Sequence, residues 1–470
     1  MDTATTVLFN PIGLNLAEVT RVVEVARALR NHSGMRPVFL VHDKGFDHLV
    51  SQAGFPRLPG ATPFTDEQAR QVVAFDQGRT LRHPFTLERV RERVAVERAA
   101  IRDLGAAAVV HGTNPTTPIS ARAEGVPLFY PVPYALGAAH LASGRGLPIL
   151  PPHGPGRLLN KGLASLAARL VGGAPLLPAS FQRVGRENDV RMRSLGDLLG
   201  ADHVLLTAMP DEVGSSPLPA GHHRVGPVFA RLDAPMPGIV DELVAGERRV
   251  VYCAFGSSGS PELARHALRA LAEAPVEVIA PLRQYLTPEE ESRLPGNIHV
   301  TDLVPAHRLE GLVDAAVLHG GQGTVQTACA TGIPFIGMGL SAEQRWNVDV
   351  WARRGNAIAL SPRDVATPGA STTPCVACWG TPGSFRPPCG LPASTRVSTG
   401  PPSVPGSSPT KLEEVGFQPA GVHQPQQRDL VQTPEVVDDR QRVVDHRRTH
   451  HSPVLDAAQP RSRTTGGGHP

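Results

Sequence analysis

A histidine and three glycines fall within six residues, in the run His319-Gly320-Gly321-Gln322-Gly323-Thr324. Glycines allow backbone N–H groups to approach a ligand closely, because they carry no side chain. When such a turn opens a helix, the first N–H groups have no partner within the helix and carry partial positive charge. A phosphate fits such a site, and His319 adds a hydrogen bond or a positive charge. A glycine-rich turn by itself, however, is more often structural.

Two elements must position this turn. Residues 313–318 are an apolar run of strand length, and residues 324–331 contain neither Gly nor Pro and predict a helix. The predicted order is therefore strand, glycine-rich turn, helix, with the turn at the amino end of the helix.

The longer stretch resembles the donor-sugar signature of the family 1 glycosyltransferases, a two-domain group that includes antibiotic and small-molecule glycosyltransferases. That signature reads His-Gly-Gly-x-Gly-Thr, then Gly-x-Pro, then Asp/Glu-Gln and Asn at set distances. Its counterparts here are residues 319–324, Gly332 and Pro334, Glu343 and Gln344, and Asn347. The resemblance covers about residues 5–362 and is strongest from Val250 onward.

The resemblance implies a hexosyltransferase-type enzyme that moves a sugar from a dTDP- or UDP-sugar to a small, mildly apolar acceptor. Most members invert the anomeric centre, and the setting is natural-product metabolism. The nucleotide sugar is a co-substrate; no cofactor is expected, and no metal, because no Asp-x-Asp motif stands at a strand end. The donor-binding residues that it implies are Ser257, His319, Gly320, Gly321, Gln322, Gly323, Thr324, Thr327, Glu343 and Gln344.

Individual donor residues have distinct implied roles. Ser257 ends a Phe-Gly-Ser turn whose family counterpart approaches the donor phosphates. Glu343 and Gln344 match positions that bond sugar hydroxyls, although they are also compatible with a solvated helix start capped by Ser341. Thr327 stands where many UDP-sugar members carry a ribose-binding Glu, and this difference weakens a UDP assignment.

The acceptor base is where the sequence departs from the family. Members carry a His after the first strand, in Gly-His-x-x-Pro, whereas Gly13 is followed here by Leu14, which cannot take a proton. We predict His111, at the end of an inner strand, as the base, and Asn15 as a residue that orients the acceptor. A purely structural role for His111 is the alternative. Other possibilities are Glu18, Asp47, an acceptor acidic enough to need no base, and an inactive chain.

Short apolar runs alternate with helical segments through the first part of the chain and predict a parallel sheet of Rossmann type. With the resemblance, the expected class is α/β of the GT-B type: two Rossmann-like domains facing each other across a cleft, the second incomplete. We expect an acceptor-binding domain at 1–218, a linker at 219–247, a nucleotide-sugar-binding domain at 248–362 and a non-family tail at 363–470. Residues 134–178 shape the acceptor pocket in the family.

Net charge, apolar runs and cysteine positions limit the classes of binding partner and the cellular location that we expect. The net charge is +3 without a long basic run, which argues against nucleic acid. No apolar run reaches the roughly 18 residues that a membrane span needs. There is no secretory signal, and only Cys253 and Cys329 precede residue 363, so we expect a cytoplasmic protein. The sequence does not indicate an oligomeric state.

The composition changes at about Ser361. After this point there is no Ile or Tyr, and the only aromatic residues are Trp379, Phe385 and Phe417. Such a segment buries too little apolar surface to offset the entropy of ordering it. Because the family continues here with amphipathic helices, we hypothesise a frameshift in the gene, with a genuinely disordered tail as the alternative. A zinc half-site at Cys375, Cys378 and Cys389 is more simply a chance pattern.

Three functions are compatible with the sequence. The first is an active glycosyltransferase. The second is a nucleotide-sugar epimerase of GT-B type, against which the Phe-Gly-Ser turn and the Glu343-Gln344 pair argue. The third is a non-catalytic nucleotide-sugar-binding protein, or the inactive product of a frameshifted gene, which the missing histidine after the first strand favours.

Overall fold

The computed structural model describes residues 4–76, 80, 82–137, 140, 159, 162–163, 166, 177–214 and 217–361. The tail at 363–470, with its frameshift hypothesis and its cysteines, lies outside the described residues. So does most of the segment at 134–178.

Seven parallel strands form the first sheet. They are β1 (Thr6–Pro11), β2 (Arg36–Val41), β3 (Arg57–Pro59), β4 (Ala108–Gly112), β5 (Leu128–Val132), β6 (His203–Leu206) and β7 (His222–Arg224). Their order across the sheet is β3-β2-β1-β4-β5-β6-β7. The helices of this part are α1 (Leu16–Ser33), α2 (His48–Gln52), α3 (Asp66–Asp76), α4 (Leu87–Leu104), α5 (Thr117–Ala123), α6 (Ala179–Glu187), α7 (Leu195–Leu199) and α8 (Pro210–Val213).

Six parallel strands form the second sheet. They are β8 (Arg249–Ala254), β9 (Val276–Ala280), β10 (Ile298–Val300), β11 (Ala315–Leu318), β12 (Phe335–Gly337) and β13 (Ala357–Ala359). Their order is β10-β9-β8-β11-β12-β13. The helices here are α9 (Gly238–Val244), α10 (Pro261–Ala272), α11 (Pro288–Glu291), α12 (Gln322–Ala330) and α13 (Ala342–Arg353). Two parallel Rossmann-like sheets are what the GT-B expectation predicted.

Polar caps set where the longer helices begin and end. Asn15 caps α1, and its side chain accepts the N–H of Ala17 at 2.9 Å. Gly34 ends the same helix at a φ of 66°, a left-handed conformation that suits glycine. Thr86 caps α4 in the same way through the N–H of Arg89. These caps satisfy N–H groups that a helix start leaves unpaired.

Both faces of the second sheet are buried, as a parallel sheet requires. Along β8, Val251 and Cys253 pack on the side of α10, whereas Val250 and Tyr252 pack on the side of α12 and α13. Alternate residues of a strand point to opposite faces, so an uninterrupted apolar run is needed here. The run at 250–254 meets that requirement.

Two element boundaries differ from the sequence prediction. Helix α12 begins at Gln322 instead of residue 324, because the backbone of Gly321 already accepts the first helical hydrogen bond from Val325. Strand β11 begins at Ala315 instead of residue 313, since Asp314 bonds the backbone N–H of Val250 through its carboxylate at 2.8 Å. The segment predicted as a linker contributes β7 to the first sheet and α9 to the second domain. In the described ranges, no helix combines the length and apolarity required to cross a membrane.

Candidate functional site

The turns after β8 and β11 lie side by side at the carboxyl edge of the second sheet. These strands are parallel neighbours, and Leu318 at the end of β11 pairs with Ala254 at the end of β8. His319 therefore lies next to the Phe-Gly-Ser turn at residues 255–257. This edge is where open α/β sheets bind ligands.

The imidazole of His319 is 3% exposed, and two glycines leave room for it. A β-carbon on Gly256 would lie 2.8 Å from His319 Cε1, and one on Gly321 would lie 2.5 Å from Nε2. The hydroxyl of Ser258 lies 3.3 Å from the same Nε2. Burial lowers the pKa of His319 to about 4. The ring is therefore neutral at pH 7 and contributes hydrogen bonding instead of positive charge.

Helix α12 begins inside the glycine-rich turn. Its first helical hydrogen bond runs from Val325 N–H to the Gly321 carbonyl at 3.1 Å, so the three preceding N–H groups have no partner within the helix. Gly323 is exposed, and a β-carbon there would meet no atom within 4 Å. Thr324 Oγ1 donates to the Gly321 carbonyl at 2.9 Å and steadies the turn. This end offers N–H donors and the positive end of the helix dipole to an anion.

Across the part of the chain that the structure describes, no three His, Cys, Asp or Glu side chains converge closely enough to hold a metal ion. The backbone N–H groups at the start of α12 provide partial positive charge at this edge.

Helix α13 is joined to the first turn through Gln344. Ser341 caps this helix, accepting the N–H of Gln344 at 3.2 Å, while Gln344 Oε1 accepts the N–H groups of Leu340 and Ser341 at 2.9 and 3.2 Å. Gln344 Nε2 donates to Ser258 Oγ at 3.4 Å. Both polar atoms of the Gln344 side chain are thus engaged in a capping box and in contact with the turn after β8. The capping role anticipated for Ser341 is present.

Asn347 and Gly320 complete this assembly. Asn347 Nδ2 donates to the Gly320 carbonyl at 3.0 Å and to the carboxylate of Glu343. Gly320 has a φ of 85°, and a β-carbon there would lie 2.6 Å from the Gln344 carbonyl oxygen. Only glycine fits this position. Glu343 is half-buried at the first turn of α13, so the stretch from His319 to Asn347 folds into one unit.

Three of the predicted donor residues differ in their contacts and burial. Gln322 is 6% exposed, and its Nε2 donates to the carbonyl of Thr207 in the first domain at 2.6 Å. Thr327 is half-buried in the second turn of α12. Ser257 is half-buried in the turn after β8, but its neighbour Ser258 makes the contacts with His319 and Gln344. Sequence reasoning missed Ser258, because the family pattern ends at the first serine.

His111 lies in β4 and is 1% exposed. Its ring stacks on that of Tyr130 in β5, with centroids 4.1 Å apart. Burial lowers the pKa of His111 to about 3, and the positive charge of Arg122 acts in the same direction. Neither ring nitrogen finds a hydrogen-bond partner among the described residues. His111 is therefore neutral at pH 7 and a weak base.

The other first-domain candidates take part in local structure. Asn15 caps α1 directly after β1, and β1 is the neighbour of β4, so Asn15 and His111 belong to one edge of the first sheet. Glu18 is 6% exposed and pairs with Arg21 at 2.8 Å. Asp47 pairs with Arg57.

A buried polar network near this edge was not predicted. Glu97 of α4 accepts the hydroxyls of Thr116 and Ser120, each at 2.5 Å, and lies 3.0 Å from His42 Nε2. None of these four side chains is more than 5% exposed. The network joins the segments after β2 and β4 to α4, and no sequence pattern connects residues so far apart.

Comparison with known proteins identifies relatives of both domains. The family description "Erythromycin biosynthesis protein CIII-like, C-terminal domain" matches residues 265–380. The "PGL/p-HBAD biosynthesis glycosyltransferase" of Mycobacterium tuberculosis (strain H37Ra) is 28% identical over 378 residues, which cover 78% of this chain and 83% of that protein. The "PGL/p-HBAD biosynthesis rhamnosyltransferase" of Mycobacterium bovis (strain BCG) is 32% identical over 159 residues, 34% of each chain.

The fold has counterparts among solved structures. The crystal structure of glycosyltransferase VinC in complex with DTDP aligns with a TM-score of 0.53 and 20% identity, covering 77% of this chain and 88% of that chain. At this level of identity the similarity concerns the fold. It confirms the predicted GT-B architecture of two Rossmann-like sheets.

Proposed function

We propose a donor, an acceptor class and a stereochemical course for this chain, which belongs to the family 1 glycosyltransferases and is a nucleotide-sugar glycosyltransferase. The donor is a dTDP-sugar, and the acceptor is an acidic hydroxyl, such as a phenol, on a natural product or glycolipid. Transfer inverts the anomeric centre. The observation that carries the proposal is the start of α12, where unpaired N–H groups, an exposed Gly323 and neutral His319 converge on one edge.

The dTDP assignment is supported by Thr327 and by the relatives. Thr327 replaces the Glu that many UDP-sugar members use for ribose, and it is half-buried on α12. VinC, which shares the fold, is described with bound DTDP. A deoxyhexose is favoured as the sugar, because one relative is a rhamnosyltransferase. A hexose is the second possibility for the transferred sugar.

The reaction places two demands on the protein. The acceptor oxygen forms a bond to the anomeric carbon while the bond from that carbon to the diphosphate breaks, and the bonding electrons leave with the diphosphate. The start of α12 stabilises that growing negative charge. The acceptor proton must go to a base, and His111 is our candidate. A histidine whose pKa is about 3 is a poor acceptor for the proton of an alcohol, and this favours an acidic hydroxyl such as a phenol.

A second function, nucleotide-sugar binding without catalysis, is favoured by one specific observation. Leu14 occupies the family position of the base, and His111 is almost completely buried. A binding protein would retain the site at α12 and show neither transfer nor donor hydrolysis.

Nucleotide binding tests the donor assignment. We expect dTDP to bind the wild-type chain more tightly than UDP in calorimetric titrations, and the Thr327→Glu variant to shift this preference toward UDP. The matched control is Thr331→Glu, one turn further along, which adds the same charge away from the start of α12 and leaves the preference unchanged. A wild-type chain that binds UDP as tightly as dTDP contradicts the donor assignment.

Transfer assays test catalysis. With dTDP-rhamnose as donor and a panel of phenols and aliphatic alcohols as acceptors, we expect products with phenols only, and proton NMR of the product reports the anomeric configuration. Equal transfer to alcohols contradicts the acceptor class, and donor binding without transfer or hydrolysis supports the binding protein. A chain restored to the shifted frame after residue 361 is assayed in parallel. Activity confined to it indicates a broken gene.

A further inference from the structure

Four hydrogen bonds join α12 to the segment that follows β6 in the first domain. Gln322 Nε2 donates to the Thr207 carbonyl at 2.6 Å, and Thr207 Oγ1 donates to Gln322 Oε1 at 3.3 Å. Gln326 Nε2 donates to the Thr207 carbonyl at 3.2 Å and to Glu212 Oε2 at 2.8 Å. We call these residues, Thr207, Glu212, Gln322 and Gln326, the interdomain cluster.

The interdomain cluster is shielded from water. Its side chains are between 1% and 6% exposed. Thr207 follows β6 and Gln322 opens α12 after β11, so the carboxyl edges of the two sheets meet at these residues. Hydrogen bonds in such a setting are stronger than in water, and an unpaired polar group there is costly.

Glu212 organises the first-domain side of the interdomain cluster. Its Oε2 accepts the N–H of Met209 at 2.6 Å, which caps α8, as well as the amide of Gln326. A carboxylate that accepts two donors is held in one orientation. Among the described residues, no cation forms a salt bridge with Glu212; the charged group that acts on it is Asp211, which pairs with Arg354 at 2.5 Å. Glu212 is thus a buried acid whose hydrogen-bonded partners are amides.

We propose that Glu212 is a positioning residue for sugar transfer: by holding Gln326, it fixes α12, and with it the N–H groups that face the donor diphosphate, against the domain that carries the acceptor. This inference rests on the proposed function for the identity of the ligand at α12. Because the side chains of the cluster are buried and Gly323 at the start of the helix is exposed, loss of the cluster misaligns donor and acceptor while leaving the diphosphate contacts in place. The effect falls on kcat and little on nucleotide affinity.

The ionisation of Glu212 connects this role to pH. Burial raises the pKa of Glu212 to about 7, and the negative charge of Asp211 adds to the increase. The group that contacts it from α12 is the neutral amide of Gln326, and Arg354 is engaged with Asp211. An ionised carboxylate accepts hydrogen bonds more strongly than its protonated form. The contact with Gln326 is therefore weakened as the pH falls through about 7.

Removal of the Gln326 amide is the direct test. In Gln326→Leu, loss of hydrogen bonds to a buried charged group is expected to lower kcat roughly 10- to 100-fold, with the dissociation constant of dTDP within about twofold of wild type. The matched control is Gln71→Leu, which removes a Gln–Glu contact of 3.5 Å on the surface helix α3 and leaves kcat unchanged. Unchanged kcat in Gln326→Leu, or dTDP binding weakened as much as kcat, overturns the proposal.

The Glu212→Gln variant distinguishes a positioning role of Glu212 from a purely structural one through the pH dependence of kcat. The amide oxygen of glutamine still accepts hydrogen bonds but does not titrate. Because that amide oxygen is a neutral acceptor, like the carbonyl of the protonated acid, we expect kcat of Glu212→Gln to be independent of pH between about 6 and 8, and to lie near the low-pH value of the wild type. A decline that persists in Glu212→Gln assigns the pH dependence to another group and overturns the role given to Glu212.

Hydrogen–deuterium exchange provides a readout that does not need turnover. We expect the amides of 322–330 to exchange at least tenfold faster in Gln326→Leu than in wild type, after correction for intrinsic rates, with wild-type exchange elsewhere in the second domain. Equal exchange in α12 overturns the proposal. A wild-type chain that binds no nucleotide refutes the proposed function instead, and the exchange result still decides whether the interdomain cluster holds α12.

Discussion

Replacement of Glu212 by Gln tests the burial of this acid through folding stability. Glu212 is 2% exposed, and its neighbours are amides and Asp211 instead of a cation. Burial penalises the charged form and raises the pKa of Glu212 from 4.5 to about 7. A group with a raised pKa in the folded state stabilises the fold when protonated and loses that contribution as the pH rises.

The magnitude follows from the pKa of Glu212. Below about pH 4.5 the carboxyl is protonated in both the folded and the unfolded chain, and its contribution is fully present. Between pH 4.5 and about 7 the unfolded chain releases its proton first, so stability falls. At about 1.4 kcal/mol for each pKa unit, the total loss is roughly 3 kcal/mol. Because glutamine does not titrate, Glu212→Gln gains that amount relative to wild type between acid and alkaline pH.

Urea unfolding followed by tryptophan fluorescence measures this difference at pH 5 and pH 8. We expect the free energy of unfolding of Glu212→Gln, relative to wild type, to be about 2–3 kcal/mol higher at pH 8 than at pH 5. The control is Glu262→Gln, which alters an exposed carboxyl on α10 and should have the same effect at both pH values. A change below about 1 kcal/mol for Glu212→Gln would refute the argument that burial dominates its ionisation.

Three further predictions concern the two edges that hold the site. Gly321→Ala places a β-carbon 2.5 Å from His319 Nε2, so calorimetry should show at least tenfold weaker dTDP binding; Gly296→Ala, which meets no atom within 4 Å, is the control and should bind normally. His111→Ala should abolish transfer while dTDP binding is retained, and wild-type turnover in this variant would remove His111 as the base. Asn347→Ala removes a buried hydrogen bond to the glycine-rich turn, so urea unfolding should report a loss of about 1–3 kcal/mol, and an unchanged midpoint would contradict this assignment.

The sequence predicted the second domain well, because its information is local. An apolar run, a glycine-rich turn and a helix at 313–331 are read from adjacent residues, and the parallel sheet brings the Phe-Gly-Ser turn to the same edge. The capping role of Ser341 was also predictable from the sequence, since the cap and its partner Gln344 are three residues apart. The observed start of α12 differs from the predicted one by two residues, because the Gly321 carbonyl accepts the first helical hydrogen bond.

What the sequence did not predict depends on contacts between distant segments. The link from Gln326 to Glu212 spans 114 positions, and that from His42 to Glu97 spans 55. The burial of His111 arises from stacking on Tyr130 in a neighbouring strand. Residue type and spacing suggested chemistry for His111, but tertiary packing decides exposure and pKa, and these quantities have no local signature.

The position of His319 between Gly256 and Gly321 has a consequence for variation at this site. At both glycines the atoms that a β-carbon would meet belong to His319, and Gly256 in addition has a φ of 55°, which favours glycine. A smaller residue at 319 would therefore relieve the restriction on space at both positions, whereas alanine at 256 would still carry the cost of its left-handed backbone conformation. The effects of substitutions at positions 256, 319 and 321 are therefore not additive. Single substitutions underestimate the range of sequences that this edge can accommodate, so a mutational library must vary the three positions together.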